Sequence, residues 1–477
     1  METTREKAGE DAAGLPTYQQ LLEENARLRS QLQGALAQIE TLQRRVAELL
    51  ALVDKLRGEG HRQAAPFRKQ DQPASPPKKS GRKSGRRHGP HAHRNLPPRI
   101  DETYEVPLPA ECPHCGSDQL RESHVATQYQ TEIPRTVIYR QFDMHVGLCG
   151  ACGRTVAGRH CLQTSTARGA AESQLGPNVH ALLVILNKQL GLSHGKCVQL
   201  LSAMFEELQI ARATSVRSIE RTAKRCRPAY QQIRQALRGA REVAPDETGW
   251  RVGGRSAWLH AFASHRETCY VIDPTRSWLP AAELLGQDWS GTLVHDGWQV
   301  YDRFECAWHQ QCLAHLQRRC QEMLVTAVGG AVRLPRAVLA LIDQAYAVRR
   351  AWRGHRLTGE EQAEAGLTLA CAMETLAAGR FTQLSHRRLA GHLRRHALHW
   401  FWFLIDPTIA ATNYQAEQAI RPAVVNRKVW GGNRTWKGAA CQSILTSVLH
   451  TCKQRGSHAF DFILHALCSH TPPLLSA

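Results

Sequence analysis

The sequence predicts a multidomain α+β protein, and three patterns in its 477 residues carry that prediction. Residues 18–56 repeat apolar side chains every seven positions, which is typical of a coiled-coil helix. Two Cys-x-x-Cys pairs follow, at 112–115 and 149–152, and favour a small unit stabilised by metal. Beyond residue 241, short strand-like runs, among them RSAWLHAFAS and TCYVID, and the helical pattern LPAAELL indicate an α/β sheet with a mixed edge.

Charge is distributed unevenly along the chain. The net charge is +19 with histidine neutral, and residues 59–99 carry 11 lysines and arginines against two acidic side chains. A basic excess both in this segment and in the remaining body indicates a polyanionic partner, most simply nucleic acid. Added solubility is the simpler alternative, but it does not explain why so much charge is concentrated in one short segment.

Two features of the sequence bear on where the protein works. Its first residues are polar and mixed in charge, unlike a secretory signal, and no apolar run reaches the roughly 18–20 residues that span a bilayer. We therefore expect a cytoplasmic protein with no membrane partner. Its 15 cysteines should then be reduced, and they favour metal binding or buried thiols over disulfides.

Residues 15–57 are predicted to form a leucine-zipper coiled coil. In the heptad over 18–56, Leu28 and Leu42 stand at position d, and Leu32 stands at position a. Asn25, also at position a, is the residue type that fixes the register of a two-stranded coiled coil. The pattern favours a parallel homodimer formed through 18–56. Further leucines widen the apolar face and leave a higher oligomer open, and a helix packed on its own domain is the simpler alternative.

Residues 58–100 are predicted to form a disordered basic linker, because proline, glycine, serine and basic side chains dominate and cannot build a core. Short basic clusters broken by glycine are found in arms that insert arginine into a narrow minor groove. A flexible tether that touches phosphates without sequence preference is the simpler interpretation, and the composition favours it. In either case the candidate DNA contacts are Lys78, Lys79, Arg82, Lys83, Arg86 and Arg87.

Residues 101–165 are predicted to form a zinc ribbon. A glycine follows each of the two Cys-x-x-Cys pairs, which consist of Cys112, Cys115, Cys149 and Cys152. Four thiolates close a tetrahedral Zn²⁺ site and leave no open position, so the zinc would be structural. The 33 residues between the pairs include the strand-like run RTVIYRQFDMHVGL, which predicts a β-hairpin between them. Thiols without metal are the alternative.

Residues 170–240 are predicted to be helical, since three stretches repeat apolar side chains with a spacing near 3.6. A short helix, a turn and a second helix with several basic residues would suit a helix-turn-helix that reads DNA. A helical scaffold without DNA contacts is the alternative, and the sequence pattern alone does not separate the two.

Two acidic side chains follow strand-like runs in the region beyond residue 241. Asp246 comes after the first run, and Asp296 comes directly after the fourth, TLVH. The first and fourth strands of such sheets are often neighbours, so we expect the two carboxylates to lie close together at the ends of adjacent strands. Two bare carboxylates repel each other, and a divalent cation that bridges them removes the repulsion. Glu247, the next residue after Asp246, is the alternative for the first position.

A third carboxylate comes from a predicted helix near the C-terminus. Glu417 lies there, and Asn413 and Arg421 stand four residues away on the same helical face. Mg²⁺ prefers oxygen ligands, so three carboxylates can hold it beside a phosphate. Two such ions would activate an attacking oxygen and stabilise a leaving oxygen. The three acids therefore predict a site that cuts and joins phosphodiesters.

Four ordered segments of the chain resemble one known family. They read APDETGW, LVHDGWQVYDRF, HQQCLAHLQRR and NYQAEQAIRPAVVNRKVWGG, and together they resemble the insertion-sequence 66 family of bacterial transposases over nearly the whole chain. The resemblance implies an RNase H-like α/β catalytic domain whose catalytic triad is Asp246, Asp296 and Glu417. It also implies two Mg²⁺ or Mn²⁺ ions at these carboxylates, and a supporting Cys-x-x-His motif formed by Cys312 and His315.

On this resemblance, the chain is expected to cut the ends of an insertion element and to join the freed 3′-hydroxyls to target DNA. Element ends and target DNA would be its partners, with room for helper proteins encoded by the element, and it would associate with the bacterial nucleoid. The catalytic domain is expected at 241–450, with a helical insertion at about 322–405 and a helical tail at 451–477. The basic residues expected to bind DNA phosphates are Arg421, Arg427, Lys428, Arg434 and Lys437, with Trp430 and Trp436 available for base stacking.

The chain departs from the expected family pattern at two positions. Tyr414 follows Asn413 where relatives are expected to carry a second asparagine, and Gln418 stands where an arginine is expected. Neither change removes a carboxylate, so they bear on local DNA contacts and leave the acidic residues intact. Two other functions stay open, namely a catalytically inactive DNA-binding protein derived from a transposase and an interaction scaffold without DNA affinity.

Overall fold

The computed structural model describes residues 18–60, 96–134, 136–164, 174–469, 471 and 473–475, in two compact units, Met1–Thr131 and Glu132–Ala477. No helix within these described ranges is long and apolar enough to cross a membrane. The predicted domain boundaries stay predictions. Outside the described residues lie the predicted DNA contacts of the basic linker, namely Lys78, Lys79, Arg82, Lys83, Arg86 and Arg87.

The first unit contains one long helix, α1 (Tyr18–Gly60), of 43 residues. Three of its heptad leucines lie in solvent, since Leu28 is 56% exposed, Leu32 59% and Leu42 62%. Backbone hydrogen bonds alone give an isolated helix little stability, and an apolar stripe of this kind is stabilised mainly by packing against another surface. The helix predicted over 18–56 is therefore confirmed, and its pairing with a second copy stays a prediction.

The second unit opens with a two-stranded antiparallel sheet, β1 (Val146–Leu148) and β2 (Thr155–Ala157). The hairpin was expected between the two cysteine pairs, but the second cysteine pair itself lies in the turn that joins these strands. Most of the strand-like run before β1 has no regular secondary structure. The predicted position of the hairpin was therefore wrong, because an apolar run without a pairing partner does not form a ladder.

Three helices follow in the order that the apolar spacing predicts: α2 (Pro177–Val184), α3 (His194–Met204) and α4 (Arg212–Arg238). Ser193 caps α3, and its hydroxyl accepts the Lys196 N–H at 3.3 Å. Arg225, one of the basic residues of α4, donates through Nε to the Ala466 carbonyl at 2.7 Å. At least this arginine therefore has a structural partner, while the helix-turn-helix interpretation stays a prediction.

A five-stranded mixed sheet forms the centre of the second unit. Its strand order is β5-β4-β3-β6-β7, in which β3, β4 and β5 form an antiparallel meander and β6 and β7 run parallel to β3. A helix, α5 (Leu279–Leu285), connects β5 to β6. The strands are β3 (Glu242–Val252), β4 (Arg255–Ala263), β5 (Thr268–Asp273), β6 (Thr292–His295) and β7 (Trp308–Gln311).

The sheet confirms that the first and fourth strands are neighbours, but the predicted position of Asp246 was wrong. Asp246 lies inside β3 and pairs with Ala261 of β4, because the antiparallel ladder continues to a hairpin at Gly253–Gly254. Both glycines have positive φ, 60° and 80°, which a two-residue type I′ turn requires. Within the part of the chain that the structure describes, in contrast, β3 pairs with β6 only at Glu242 and Val243. The β6 side of Asp246 is therefore left without a ladder partner.

Alternation along the strands gives the sheet two different faces. One face carries Val243, Phe262 and Leu293, which pack with buried residues of α4, α5 and two later helices, α12 (Trp436–Gln454) and α13 (Ala459–Cys468). The opposite face carries Ala244 and Val294, which pack with buried side chains of the segment between β7 and α11 (Tyr414–Trp430). That segment holds α6 (Leu313–Thr326), α7 (Arg333–Arg353), α8 (Gly359–Ala377), α9 (Leu384–Arg395) and α10 (Trp402–Ile405).

Helix α11 packs on the same face, further along the meander. Its Ala419 and Ala423 join a buried cluster with Trp250 of β3 and Leu259 of β4. Small side chains on the helix allow a close approach to the sheet, so the first turn of α11 is held near the middle of β3. This is the part of the fold that positions the acidic residues.

Candidate active site

Asp246 lies within β3, and Asp296 directly follows the neighbouring parallel strand β6. The register pairs Glu242 with Thr292 and Val243 with Leu293, and the same offset relates Asp246 to Asp296. Asp246 lies two residues after Ala244 in β3, so its side chain belongs to the face that carries α11. Asp296 follows the end of β6 and lines a cleft together with Leu316 and Trp400, which pack on that same face. The structure therefore brings the two predicted acids to one side of the sheet, although only Asp296 follows the end of a strand.

Glu247 belongs to the opposite face and has its own partners. Its side chain is only 5% exposed, and Oε1 accepts from Arg276 Nε at 2.9 Å. The hydroxyl of Tyr301 donates to Oε2 at 3.1 Å. Glu247 therefore forms a partly buried structural ion pair with Arg276. Asp246 is the acid that shares a face with Asp296.

Asp246 lies in an environment that disfavours its charge. Burial, followed by the nearby carboxylates of Glu247, Asp296 and Glu417, raises the pKa of Asp246 to about 7, even though the Glu247 N–H donates to its Oδ1 at 2.9 Å. A carboxyl group of this kind tends to keep a proton near neutral pH unless a cation offsets the surrounding negative charge. Oxygen donors crowded in this way fit a hard divalent cation such as Mg²⁺.

Glu417 lies in the first turn of α11, whose N-cap is Asn413. The Glu417 N–H donates to the Asn413 carbonyl at 3.1 Å, and the carboxylate side chain is 31% exposed. The guanidinium of Arg427, near the other end of α11, donates to the Gly249 carbonyl and to the Thr248 hydroxyl of β3. These contacts tie the helix to the strand that carries Asp246.

The Cys-x-x-His motif contacts this third acid directly. Cys312 follows β7 and is the N-cap of α6, and its sulfur accepts the Asn413 N–H at 3.5 Å. His315 Nε2 lies 3.5 Å from Glu417 Oε1. One ligand atom from each of Cys312, His315 and Glu417 lies within 4.8 Å of the others. The motif therefore joins the start of α6 to the start of α11.

A cleft of about 400 Å³ opens beside these residues. Asp296, His315, Arg318, Arg319 and other side chains line it. Arg319 is half-buried, and burial followed by the nearby Arg388 lowers its pKa. Sequence analysis did not assign a role to Arg318 or Arg319, although both lie one helical turn beyond the Cys-x-x-His motif, and that spacing was the available signal.

A chain of buried histidines supports the turn after Asp296. The Gly297 N–H donates to His295 Nδ1 at 3.2 Å, which leaves the proton on Nε2, and His295 Nε2 lies 3.1 Å from His309 Nδ1. Burial and neighbouring imidazoles hold the pKa of His295 well below its usual value, so it is neutral. Gly297 has φ +87°, and a Cβ there would lie 2.7 Å from a ring carbon of His392. A larger residue cannot replace this glycine without a shift.

The basic residues predicted to bind DNA from the C-terminal region have different environments. Arg421 and Arg434 are exposed, whereas Lys437 pairs with Glu220 at 2.6 Å and Arg427 bonds to β3 as described. Lys428 is also exposed. Trp430 packs edge-on against Trp250 and donates to the Gly191 carbonyl at 3.0 Å, while Trp436 is 50% exposed. Of the two tryptophans, Trp436 is the better placed to stack on a base.

The first predicted zinc-binding pair, in the unit Met1–Thr131, has the local geometry of a metal-binding turn. The Gly116 N–H donates to the Cys112 carbonyl at 2.8 Å, and Gly116 has φ +74°. Backbone N–H groups of His114 and Cys115 lower the pKa of the Cys112 thiol. A turn that directs N–H groups at sulfur favours the thiolate that binds zinc.

The second pair, in the unit Glu132–Ala477, repeats this geometry. The Gly153 N–H donates to the Cys149 carbonyl at 2.8 Å, with φ +65° at the glycine. Backbone N–H groups of Cys152 and Ala151 lower the pKa of the Cys149 thiol. Each turn by itself therefore fits half of a four-cysteine zinc site.

Comparison with known proteins gives one clear match. Residues 172–441 match the family model described as "Transposase IS66 family", which covers more than half of the chain and includes Asp246, Asp296 and Glu417. No curated protein matches the chain. The family is one of DNA transposases that depend in general on divalent metal ions, and DNA is their partner. The protein belongs to the IS66 family of transposases.

Proposed function

We propose that the protein cuts the ends of an insertion element and joins the 3′-hydroxyls to target DNA, with Asp246, Asp296 and Glu417 as its catalytic carboxylates. The observation that carries this proposal is the placement of Asp246 on β3 and of Asp296 directly after β6, at the sequence offset that pairs the two strands. Burial and Glu247 raise the pKa of Asp246 most, and the smaller contributions of Asp296 and Glu417 support the view that the three acids form one site. The strand order of the sheet supports the RNase H-like fold that the resemblance implies.

The donor set fits two Mg²⁺ or Mn²⁺ ions, since the three residues offer only carboxylate oxygens. Such ions, when bound between the carboxylates, stabilise the charge that develops on the attacking and leaving oxygens of a phosphodiester. Asp246 must give up its proton to serve as a ligand. The Asp246 side chain is half-buried, and its pKa is raised to about 7. Because a proton competes with the metal ion below that pH, metal binding is expected to weaken as pH falls below about 7.

Other residues would orient the carboxylates and the DNA. His315 lies against Glu417 and would hold its carboxylate toward the sheet. The backbone turn at Gly297 and the neutral His295 behind it would fix the position of Asp296. Arg318 and Arg319 would bind phosphates of the strand that enters the cleft, because they line it next to Asp296.

The proposal includes two features that lie outside the carboxylate site. The exposed heptad leucines of α1 support a coiled-coil dimer that would bring two element ends together. The zinc ribbon with one structural ion that the sequence predicts is part of the proposal, and Cys115→Ser should then lower the zinc content of the protein by one equivalent. Association with the nucleoid follows from DNA binding. Helper proteins encoded by the element are a further class of partner in this proposal.

The test is a cleavage assay on labelled duplexes that carry the two ends of the insertion element that encodes this chain. Wild-type protein should cleave with Mg²⁺ and not with chelator. Asp296→Asn should lower the rate at least about a hundredfold, equivalent to ~2.7 kcal/mol of transition-state stabilisation. Asp302→Asn is the matched control, because Asp302 is exposed on the same loop and should keep the wild-type rate.

A catalytically inactive DNA-binding protein is the alternative, and the same assay separates it from the transposase. It predicts equal binding of the duplexes by wild-type and Asp296→Asn protein, with no cleavage by either. An interaction scaffold predicts no binding even at low salt, where phosphate contacts are strongest.

A further inference from the structure

Cys312, His315 and Glu417 bring three different metal-ligand atoms into one place. The sulfur, an imidazole nitrogen and a carboxylate oxygen all lie within 4.8 Å of one another, and His315 Nε2 is 3.5 Å from Glu417 Oε1. Among the residues that the structure describes, this is the one group of three or more cysteine, histidine and acidic side chains with that spacing. Two helix starts, those of α6 and α11, hold the group in position.

The donor set selects a different metal from the neighbouring carboxylates. Thiolate and imidazole ligands suit Zn²⁺, whereas Mg²⁺ takes oxygen ligands almost exclusively. Cys312 is 1% exposed, and its sulfur already accepts the Asn413 N–H, which is the kind of outer contact that orients a thiolate ligand. Cys312 and His315 both line the cleft that contains Asp296, so a fourth ligand position would face solvent and substrate.

We propose that Cys312, His315 and Glu417 form a Zn²⁺ site, separate from the predicted zinc ribbon, and that zinc bound there withdraws Glu417 from the carboxylate site. The second half of the proposal rests on the proposed function, because it gives Glu417 a role in catalysis. Glu417 would then belong to two sites, the zinc site with Cys312 and His315 and the magnesium site with the other carboxylates. Sharing this residue would make the transposase sensitive to the ratio of Zn²⁺ to Mg²⁺. Free zinc would then act as an inhibitor that competes with the catalytic ions.

Zinc content tests the site independently of activity. Full-length wild-type protein, Cys312→Ser, His315→Asn and Cys306→Ser are equilibrated with Zn²⁺, separated from free metal and analysed by mass spectrometry for metal per chain. Wild type and the exposed-cysteine control Cys306→Ser should carry one zinc equivalent more than the other two. Any ribbon zinc is common to all four proteins and cancels in the comparison.

Equal zinc content in all four proteins would overturn the site. If Cys312→Ser fails to fold, His315→Asn decides the question, because His315 is a third exposed and its loss leaves less buried volume empty. Replacing Zn²⁺ with Co²⁺ adds a second readout. The intensity of the sulfur-to-cobalt absorption band should be lower in Cys312→Ser by the contribution of one thiolate. An unchanged band would contradict the involvement of Cys312.

Zinc inhibition of Mg²⁺-dependent cleavage tests the second half. Each protein is compared with its own zinc-free rate, and the Zn²⁺ concentration for half-inhibition should rise by about tenfold or more in Cys312→Ser and His315→Asn. An unchanged concentration would refute competition for Glu417. If no protein cleaves DNA, the proposed function fails, while the zinc content still decides whether the site exists.

Discussion

Asp296 directly follows β6, and the offset that pairs Val243 with Leu293 makes Asp246 of β3 its counterpart, three residues beyond that pair. Among the described residues, β3 pairs with β6 as far as Val243 and then continues along β4 to Val252, while β6 ends at His295. The ladder with β6 therefore ends before Asp246, and burial and the nearby carboxylates of Glu247, Asp296 and Glu417 raise the pKa of Asp246. The same geometry implies a measurable electrostatic cost when the cation is absent.

The first prediction concerns the pH dependence of stability in metal-free buffer. The pKa of Asp246 rises from 3.8 to about 7 in the folded protein, so the folded state binds a proton more tightly than the unfolded chain. Its contribution to the free energy of unfolding is present below pH 3.8 and is lost as pH rises through about 7. Asp246→Asn should remove this loss, so the variant should gain stability relative to wild type between about pH 4 and pH 8.

Denaturant unfolding of both proteins over this pH range measures the difference directly. At ~1.4 kcal/mol per unit of pKa shift, the gain is a few kcal/mol at most, and solvent near Asp246 reduces it. Mg²⁺ at pH 8 should restore the stability of wild type and leave Asp246→Asn unchanged. If the difference in the free energy of unfolding between the two proteins does not change with pH, Asp246 is not the carboxyl group with the raised pKa.

The second prediction separates the roles of the two adjacent acids on β3. Glu247→Gln removes the carboxylate that pairs with Arg276 and accepts from Tyr301, so the variant should lose about 1–3 kcal/mol of stability, less than a fully buried pair because Arg276 is 41% exposed. Stabilisation by Mg²⁺ should be retained. Thermal unfolding with and without Mg²⁺ checks both parts, with Asp246→Asn as the reciprocal control. If Mg²⁺ no longer stabilises Glu247→Gln, then Glu247 is the metal ligand and Asp246 has the structural role.

The third prediction concerns α1. Leu32→Asp places a charge at heptad position a, where a parallel dimer would bury it, and the variant should be monomeric. Ala37→Asp is the matched control, because position f of the same heptad faces away from the seam. Light scattering with size-exclusion chromatography gives the mass of each protein. A monomeric wild type, or a Leu32→Asp variant that still pairs, would rule out the coiled coil as the dimer interface.

Local patterns predicted most of the secondary structure. The runs RSAWLHAFAS, TCYVID and LPAAELL form β4, β5 and α5, because alternation and composition decide such short elements. The position of Asp246 was missed because the length of β3 depends on its pairing with β4, and pairing is not visible in one strand's sequence. The hydrogen bonds that link Gly297, His295 and His309 were missed for a related reason. Contacts between buried polar side chains depend on the three-dimensional fold and are not visible in the sequence.

The fourth prediction concerns Arg318 and Arg319, which line the cleft beside Asp296. Arg319 is half-buried, and burial, with a smaller contribution from the like charge of Arg388, lowers its pKa. Two cations close together are stabilised when an anion lies between them, and a DNA phosphate supplies that anion. We therefore expect Arg319→Ala to weaken DNA binding at low salt and to stabilise the free protein slightly.

The measurement is the slope of log affinity against log salt for a duplex that carries the element end. Each phosphate contact contributes about 0.9 to this slope, so Arg318→Ala and Arg319→Ala should each reduce it by roughly that amount. Arg336→Ala, at an exposed arginine of α7 that does not line the cleft, is the control and should retain the wild-type slope. If the two cleft variants keep the wild-type slope while Arg421→Ala lowers it, DNA follows the surface of α11 instead of the cleft. The strand to be cut would then have to reach Asp296 from the side of α11.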